Sequence, residues 1–180
     1  MTVLVGVVHN GRAWIGADAA TTNGDVVVAS TQPKVWQQGD FVFACTGALR
    51  EQQIIQHRVM LPTLASNVDV LRYLCVDFAD ALRQARKDSG FDEKVTTGQE
   101  LGPVLLIGYE DRLFSMDSYY AVEEFAEYAA RGCGRELAMG SLHTTAGIWR
   151  DPRKRITAAL EAACSVNAYC KPPFTIMSAP

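Results

Sequence analysis

The sequence lacks any close pair of cysteines. Its 180 residues contain 5 cysteines, an odd count, and no C-x-x-C pair. Disulfide-stabilised small domains carry an even set, and structural zinc sites draw on closely spaced pairs. The histidines His9, His57 and His143 are equally scattered and show no metal-like spacing. We therefore predict no metal and no cofactor, and the free thiols favour a reducing cytoplasm.

A strong charge of one sign and long apolar runs are also missing. The net charge is -3, and the one dense basic cluster, 150–155, is interrupted by Asp151 and Pro152. Without a broad basic surface, nucleic acid is not expected as a partner. No apolar run approaches the length of about 18 residues that a membrane span needs, and the first residues lack the features of a signal peptide. We expect a cytoplasmic protein that does not bind membranes.

The sequence does contain enough apolar material for a folded domain. Hydrophobic residues make up 48% of the chain, and no linker, internal repeat or low-complexity tract divides it. A chain of this length can bury a substantial core as one unit. Residues 1–180 are therefore expected to form a single domain.

Short β-rich runs separated by turn residues fill the first quarter of the chain. They predict strands over 3–8, 13–17, 26–29 and 41–45. Asn10-Gly11 and Asn23-Gly24 are strong hairpin signals, because both central residues of a type I′ turn need a positive φ. The pattern predicts about four antiparallel strands before the first helix.

The rest of the chain alternates between helical and strand patterns. Apolar spacing predicts helices over 48–60 and from a cap at Asn67 or Asp69 to about Lys87, and the polar residues 91–102 predict a loop. Strands are expected over 104–109, 112–116, within 121–128 and over 174–177, with helices over 136–142 and 152–166. This order indicates an α+β fold, a four-layer αββα sandwich of two antiparallel sheets flanked by helices.

Removal of Met1 would leave Thr2 as the first residue. An N-terminal threonine carries a hydroxyl nucleophile and a free amine, and the amine, with an ordinary pKa of about 7.7–8.0, can take the hydroxyl proton near neutrality. Asp18 and Lys34 follow near the ends of predicted strands. Taken blind, such a pair is more often solvated than catalytic. The alternative, in which Met1 is retained and Thr2 is simply the start of a strand, therefore remains open at this point.

A series of short motifs narrows these alternatives. They are the strand that begins at Thr2, residues 16–22 (GADAATT), Lys34-Val35, residues 44–47 (ACTG), residues 132–134 (GCG) and Met139-Gly140, with 167–170 (NAYC) as a weaker match. In order and spacing the chain resembles, over nearly its whole length, the N-terminal-nucleophile (Ntn) hydrolases of the proteasome β-subunit and HslV type. The resemblance implies the same αββα fold.

The resemblance also implies catalytic roles. Thr2 corresponds to the nucleophile, with its amine or a neighbouring water as the base. Lys34 corresponds to the cation that lowers the pKa of the hydroxyl, and Asp18 to the carboxylate that holds this lysine. Gly47 corresponds to the glycine whose N–H stabilises the oxyanion, where one such donor can be worth ~2.7–4 kcal/mol.

The chain departs from the proteasome pattern at three positions near the nucleophile. Where proteasome subunits carry a serine and an aspartate–serine pair, this chain has Cys133, Asn167 and Cys170. Asn167 cannot carry the negative charge that an aspartate would set against the terminal amine. Proton transfer is therefore expected to be slower or to pass through Cys133 and water. Both cysteines are expected to pack as small hydrophobic residues rather than to act as nucleophiles.

A substrate site is implied by the same correspondence. Thr22 would pair with the backbone of an extended substrate, added like an extra strand. The pocket for the side chain before the cleaved bond would be lined by Thr21, Gln32, Trp36, Cys45 and Leu49. Trp36 and Leu49 would make the pocket partly apolar, which favours a neutral or hydrophobic side chain.

The function that the resemblance implies is a threonine peptidase that degrades unfolded polypeptides inside a homo-oligomer of stacked rings, with roughly six or seven subunits in each ring. The sequence contains no G-x-x-x-x-G-K-[ST] loop, so an ATP-dependent unfoldase would be a separate chain. Two alternatives remain open. One is a catalytically weak or inactive proteasome-like scaffold protein, and the other is an Ntn amide hydrolase that acts on a small molecule.

Overall fold

Eleven strands and five α-helices are found in the computed structural model, which describes residues 2–23, 25–91 and 103–180. The strands are β1 (Val3–His9), β2 (Arg12–Ala17), β3 (Ala20–Asn23), β4 (Val26–Ala29), β5 (Val35–Gln38), β6 (Phe41–Thr46), β7 (Val104–Tyr109), β8 (Arg112–Met116), β9 (Val122–Phe125), β10 (Tyr128–Gly132) and β11 (Thr175–Ser178). The helices are α1 (Leu49–Arg58), α2 (Val70–Tyr73), α3 (Ala79–Asp88), α4 (Arg135–Thr145) and α5 (Pro152–Val166), and a π-helical stretch (Leu74–Phe78) joins α2 to α3.

The strands form two antiparallel sheets and a separate ribbon. The first sheet has the order β10-β1-β2-β11, the second has the order β5-β6-β7-β8-β9, and β3 pairs with β4 alone. The β1–β2 hairpin turns at Asn10 and Gly11, with φ values of 50° and 72°. These positive values fit a type I′ turn, so the hairpin that the Asn-Gly pair predicts is confirmed.

Hydrophobic side chains divide the molecule into four layers. Because side chains alternate along a strand, Val3, Val5 and Val7 of β1 face one side and Leu4 faces the other. The valines pack with buried residues of α4 and α5, whereas Leu4 packs with residues of the second sheet such as Leu106. The opposite face of the second sheet packs against the helical region of residues 49–88. The predicted α+β, four-layer αββα arrangement is therefore confirmed.

The sheets approach each other closely at one glycine. A Cβ at Gly6 of β1 would lie 2.6 Å from Leu113 Cδ1 of β8, well inside van der Waals contact. Any larger residue at this position would push the sheets apart or displace the leucine. The close contact brings the N-terminal end of β1 against the second sheet, where the candidate site lies.

The structure adds three strands that the sequence pattern did not predict. Six strands, rather than about four, precede the first helix, because β3 and β5 are present as well. β3 is polar, and half of β5 is glutamine, so neither shows a hydrophobic alternation. β10 follows β9 where only one strand was expected. Its Ala129, Ala130 and Gly132 have low strand propensity, and pairing with β1 stabilises it.

Smaller differences concern the ends of elements. The first helix ends at Arg58 rather than residue 60, and α4 extends over Arg135–Thr145 rather than 136–142. Of the two candidate caps, Asp69 is the one that caps α2, since its Oδ1 accepts hydrogen bonds from the backbone of Leu71 and Arg72. Most of the predicted 91–102 loop and Gly24 of the second Asn-Gly turn lie outside the described residues.

No helix in the described part of the chain is long and apolar enough to cross a membrane.

Candidate active site around Thr2

Strand pairing brings Thr2, Asp18 and Lys34 together. Thr2 immediately precedes β1 and Asp18 immediately follows β2, and these ends meet because Leu4 pairs with Ala17 in the antiparallel hairpin. Lys34 precedes β5 of the second sheet. The three residues are 3%, 2% and 8% exposed, respectively. The structure therefore places a hydroxyl, a carboxylate and an amine from both sheets in one buried cluster.

The lysine connects the carboxylate to the hydroxyl. Lys34 Nζ donates hydrogen bonds to Thr2 Oγ1 and, over 2.9 Å, to Asp18 Oδ1. A cation at this position stabilises negative charge on the threonine oxygen, as nucleophilic attack requires. Leaving either charge of such a pair buried without its partner would cost several kcal/mol. The cluster is thus arranged to favour the alkoxide form of Thr2.

Backbone amides hold the Asp18 carboxylate in place. Oδ1 also accepts from Val3 N at 3.0 Å, and Oδ2 accepts from Ala20 N at 2.8 Å and from Lys171 N at 3.2 Å. Hydrogen bonds to a charged carboxylate are stronger than those between neutral groups. With these three amides and Lys34 as donors, the carboxylate has a fixed orientation, and so does the ammonium group that it binds.

The carbonyl of Thr2 is held by the turn after β10. Cys133 N donates to Thr2 O over 2.8 Å, and Cys133 Sγ lies 3.4 Å from the same oxygen. Gly132 has a φ of +92°, and a Cβ there would lie 2.2 Å from Thr2 O. Only glycine permits this approach. The turn therefore fixes the backbone of the threonine, whereas Lys34 contacts its side chain.

The three departures from the proteasome pattern form one small network behind Thr2. Cys133 Sγ and Cys170 Sγ are 3.9 Å apart, and Asn167 Nδ2 donates to Cys133 O over 3.0 Å. The other side of the Asn167 amide, Oδ1, accepts from Tyr169 N at 2.9 Å. Burial raises the pKa of the Cys170 thiol, with Cys133 and Asp18 adding to the effect. Cys170 is thus disfavoured as a thiolate nucleophile, and Asn167 shapes the turn through both ends of its amide.

A cavity of about 270 Å³ opens beside Thr2. Four of the residues expected at the substrate site line it, namely Thr21, Thr22, Cys45 and Leu49, and Gly47 lies in its wall with a φ of +140°. The remaining lining residues are Thr2, Lys34, Ala20, Ala48 and Gln52. Thr2, Lys34 and Gly47 therefore all border one space that a substrate could enter.

Two of the expected pocket residues lie elsewhere. Trp36 is buried in the hydrophobic cluster between the second sheet and the helices, where its ring stacks on Phe43 at 5.8 Å, and it does not line the cavity. Gln32 is exposed in the segment before β5 and does not line the cavity either. The strand phase explains Trp36, because neighbouring Val35 faces the other sheet. Without the tryptophan, the pocket has less apolar surface than the pocket predicted from the sequence.

Gln52 is a pocket residue that the sequence reasoning missed. It is one helical turn beyond Leu49 on α1, and its Nε2 donates to Pro33 O over 2.8 Å, which fixes the amide beside Lys34. The helical spacing of three residues was the signal that could have identified it. At Cys45 in the pocket lining, burial raises the pKa of the thiol, and Glu51 adds to the effect while Lys34 opposes it. No group of His, Cys, Asp and Glu in the described residues is clustered to hold a metal ion.

These features together define the class of fold. Two antiparallel sheets between helical layers, with a threonine at the start of a strand in the first sheet, form the Ntn-hydrolase fold of the proteasome β-subunit and HslV type. No protein-family model and no curated protein matches the chain. Evidence for the fold comes instead from solved structures that resemble this chain in architecture but are distant from it in sequence.

Among these structures is BPH from Thiobacillus denitrificans, with a TM-score of 0.84 and 19% identity over 98% of this chain and 96% of that chain. BPH has also been solved in complex with epoxomicin. Anbu from Yersinia bercovieri gives a TM-score of 0.69 and 18% identity over 99% of this chain and 81% of that chain. Eukaryotic HslV from Trypanosoma brucei gives 0.69 and 14% over 98% of each chain.

Proposed function

We propose that this protein is an N-terminal threonine peptidase in which Thr2 is the nucleophile. The observation that carries the proposal is the hydrogen bond from Lys34 Nζ to Thr2 Oγ1, within a cluster buried against Asp18. A threonine that served only to start a strand would not need a buried ammonium group on its hydroxyl. The cost of burying this charge is more readily understood if it lowers the barrier of a reaction.

The chemistry follows from the groups around Thr2. After removal of Met1, the free amine takes the hydroxyl proton while Oγ1 attacks the carbonyl carbon of the substrate, and Lys34 stabilises the developing negative charge. The N–H of Gly47 stabilises the oxyanion of the tetrahedral intermediate. Collapse passes the proton from the Thr2 amine to the leaving nitrogen, expels the amine half of the substrate and leaves an ester on Thr2. Water then attacks the ester, again giving a proton to the amine, and hydrolysis returns this proton to Oγ1 and releases the acid half. The turn of Cys133 and Asn167, with Cys170 behind it, supports the threonine backbone during these steps.

An extended polypeptide fits the site. β3 pairs with β4 on one edge, and its other edge pairs with no strand among the described residues, so Thr21 and Thr22 can accept a substrate strand. The side chain before the cleaved bond would enter the pocket of Cys45, Leu49 and Gln52. We expect it to be neutral. A panel of fluorogenic peptides varied at this position tests the preference, and fastest cleavage of acidic or basic peptides would contradict it.

We also propose that the chain assembles into stacked homo-oligomeric rings of roughly six or seven subunits in the cytoplasm. Enclosing the nucleophile in a chamber would restrict it to unfolded polypeptides, and a separate ATP-dependent unfoldase would deliver them. The fold similarity to HslV and Anbu supports this assembly. Light scattering measures the mass in solution, and a strict monomer would contradict the ring and favour an amide hydrolase of small molecules.

Covalent labelling tests the nucleophile directly. A peptide epoxyketone should modify Thr2, as shown by peptide mapping, and intact mass should show that Met1 has been removed. Thr2→Ala should abolish both labelling and cleavage, whereas Thr2→Ser keeps a hydroxyl and an amine and should retain part of both. Undiminished cleavage by Thr2→Ala would refute the assignment. A chain that keeps Met1 in cells and cleaves nothing would instead favour the scaffold alternative.

A further inference from the structure

A second buried ion pair lies behind the wall of the cavity. Glu51 of α1 and Arg86 of α3 are 5% and 3% exposed, and Arg86 Nη2 donates to Glu51 Oε1 over 3.0 Å. Burial raises the pKa of Glu51 above its ordinary value, although Arg86 acts in the opposite direction. Well-packed hydrophobic residues are often as stable as such a pair. Stability alone therefore does not explain why two charges are kept here.

The position of Glu51 suggests another reason. Its Oε2 faces the loop that enters α1, since a Cβ at Gly47 would lie 3.1 Å from this oxygen. The backbone of Ala48, the N-cap residue of α1, lies close enough to the carboxylate to act against the rise in its pKa. A glutamate three residues after the N-cap commonly makes this contact in a capping box. Glu51 Oε2 therefore lies against the peptide between Gly47 and Ala48.

The orientation of that peptide determines which backbone N–H groups of the loop point into the cavity. The N–H of Gly47 precedes that of Ala48 in this loop, and it donates no hydrogen bond to any described residue. Gly47 lines the cavity together with Thr2. Because a glycine can rotate more freely than other residues, its amide keeps one direction only if something else restrains it.

Arg86 is itself held from the far side. Arg86 Nη1 donates to the Tyr120 hydroxyl, and the guanidinium carbon lies 5.7 Å from the centre of the Tyr120 ring. Tyr120 belongs to the turn after β8, where Asp117 Oδ1 accepts from Ala121 N at 2.9 Å. The guanidinium group is planar, so contacts on two sides fix its orientation. Glu51 is thereby connected to the second sheet rather than only to its own helix.

From this geometry we propose that Glu51, held by Arg86, is a positioning residue that keeps the N–H of Gly47 directed at the oxyanion of the tetrahedral intermediate. The inference rests on the proposed threonine peptidase activity. Glu51 touches no reacting atom. Its loss should therefore weaken binding of the tetrahedral species and leave binding of the substrate largely unchanged.

Three substitutions at one position test the inference in the full-length protein. Glu51→Gln keeps an oxygen that can accept from Ala48 and Arg86 and should keep kcat within about threefold of wild type. Glu51→Asp keeps the charge but is too short to reach the loop, and Glu51→Ala removes the acceptor. Both should lower kcat about 10-fold or more, with KM within about threefold, because displacing an oxyanion donor costs less than the 100-fold or greater loss on removing one. A peptide aldehyde, whose adduct with Thr2 places an oxygen at the same position, should lose affinity in parallel.

Controls separate this inference from the proposed function. Epoxyketone labelling and peptide cleavage by the wild type test the proposed function itself. The positioning role of Glu51 is contradicted only if the wild type is active and the Glu51 variants keep its kcat. Glu124→Gln, which removes a carboxylate from the ion pair with Arg112 far from the cavity, should leave kcat unchanged. If Glu51→Ala does not fold, Glu51→Asp decides the question. A folded Asp or Ala variant with wild-type kcat and aldehyde affinity would overturn the proposal.

Discussion

Two buried ion pairs lie at or just behind the wall of one cavity, and they differ in what holds their carboxylates. Asp18 accepts from three backbone amides as well as from Lys34, whereas the side-chain donor to Glu51 is Arg86. The first pair acts through its cation, which touches Thr2 Oγ1. The second acts through its carboxylate, which faces Gly47. The two ion pairs thus present opposite ends, a cation to Thr2 and a carboxylate to Gly47.

The largest effect is expected from removing the cation of the first pair. Lys34→Ala should lower kcat by about 10³-fold or more, because it removes the charge that stabilises the threonine oxygen. The unpaired Asp18 should also lower the melting temperature, although its backbone donors soften the loss. Peptide cleavage and thermal unfolding measure the two effects. Activity close to that of the wild type would mean that Lys34 serves only to balance the charge of Asp18.

The next effect concerns the carboxylate of the same pair. Asp18→Asn should lower kcat by about 100-fold, because the amide nitrogen would face donors such as Ala20 N and would release Lys34 from its fixed orientation. We expect the loss to be smaller than for Lys34→Ala, since the lysine is still present. A steady-state comparison of the two variants checks this order, and the reverse order would mean that the carboxylate has a role beyond holding the cation.

The pH dependence of stability distinguishes the second pair. Burial raises the pKa of Glu51 in the folded protein, so the folded state binds a proton more tightly than the unfolded chain. The stabilisation this provides is complete below the unfolded pKa of about 4.3 and is lost as pH rises through the folded value. Wild type should therefore gain unfolding free energy relative to Glu51→Gln when the pH falls from 8 towards 4. Urea titrations measure this difference, and a constant or opposite trend would contradict the raised pKa.

The smallest effect is expected at an exposed pair that serves as a reference. Arg112 Nε donates to Glu124 Oε1 over 2.7 Å, and Arg112 also contacts Asp69. Glu124→Gln should lower the unfolding free energy by about 1 kcal/mol or less, because exposed pairs contribute little in water. A urea titration of this variant checks the value. A loss as large as that of Asp18→Asn would remove the distinction between buried and exposed pairs.

Much of the fold could be predicted from local sequence signals. The Asn10-Gly11 turn and the alternation of Val3, Val5 and Val7 specify the β1–β2 hairpin and the face that packs on the helices. The strands β3, β5 and β10 have no such signal, because polar, glutamine or alanine residues form most of them. Their existence depends on pairing with distant strands, which one sequence read locally does not reveal.

The candidate site was predictable to the extent that short motifs carry it. The motifs around Thr2, Asp18 and Lys34 suggested a cluster, and the structure brings these residues together. Trp36 was expected beside the cavity, but its place in β5 turns it towards the helices. Arg86 gave no signal, since it meets Glu51 only after the chain has folded across 35 residues. Contacts of this kind form only when two helices pack together, so the residue pattern of each helix alone does not predict them.

The contact between the turn at Gly132 and the carbonyl of Thr2 bears on how the proposed peptidase would become active. The residues that hold the threonine lie as far as 131 positions away in the chain, and they contact its carbonyl oxygen rather than its amine. We therefore expect the precursor to carry the finished architecture of the site, lacking only a basic nitrogen. Switching it on would then be a matter of hydrolysing one peptide bond, with no segment needing to refold.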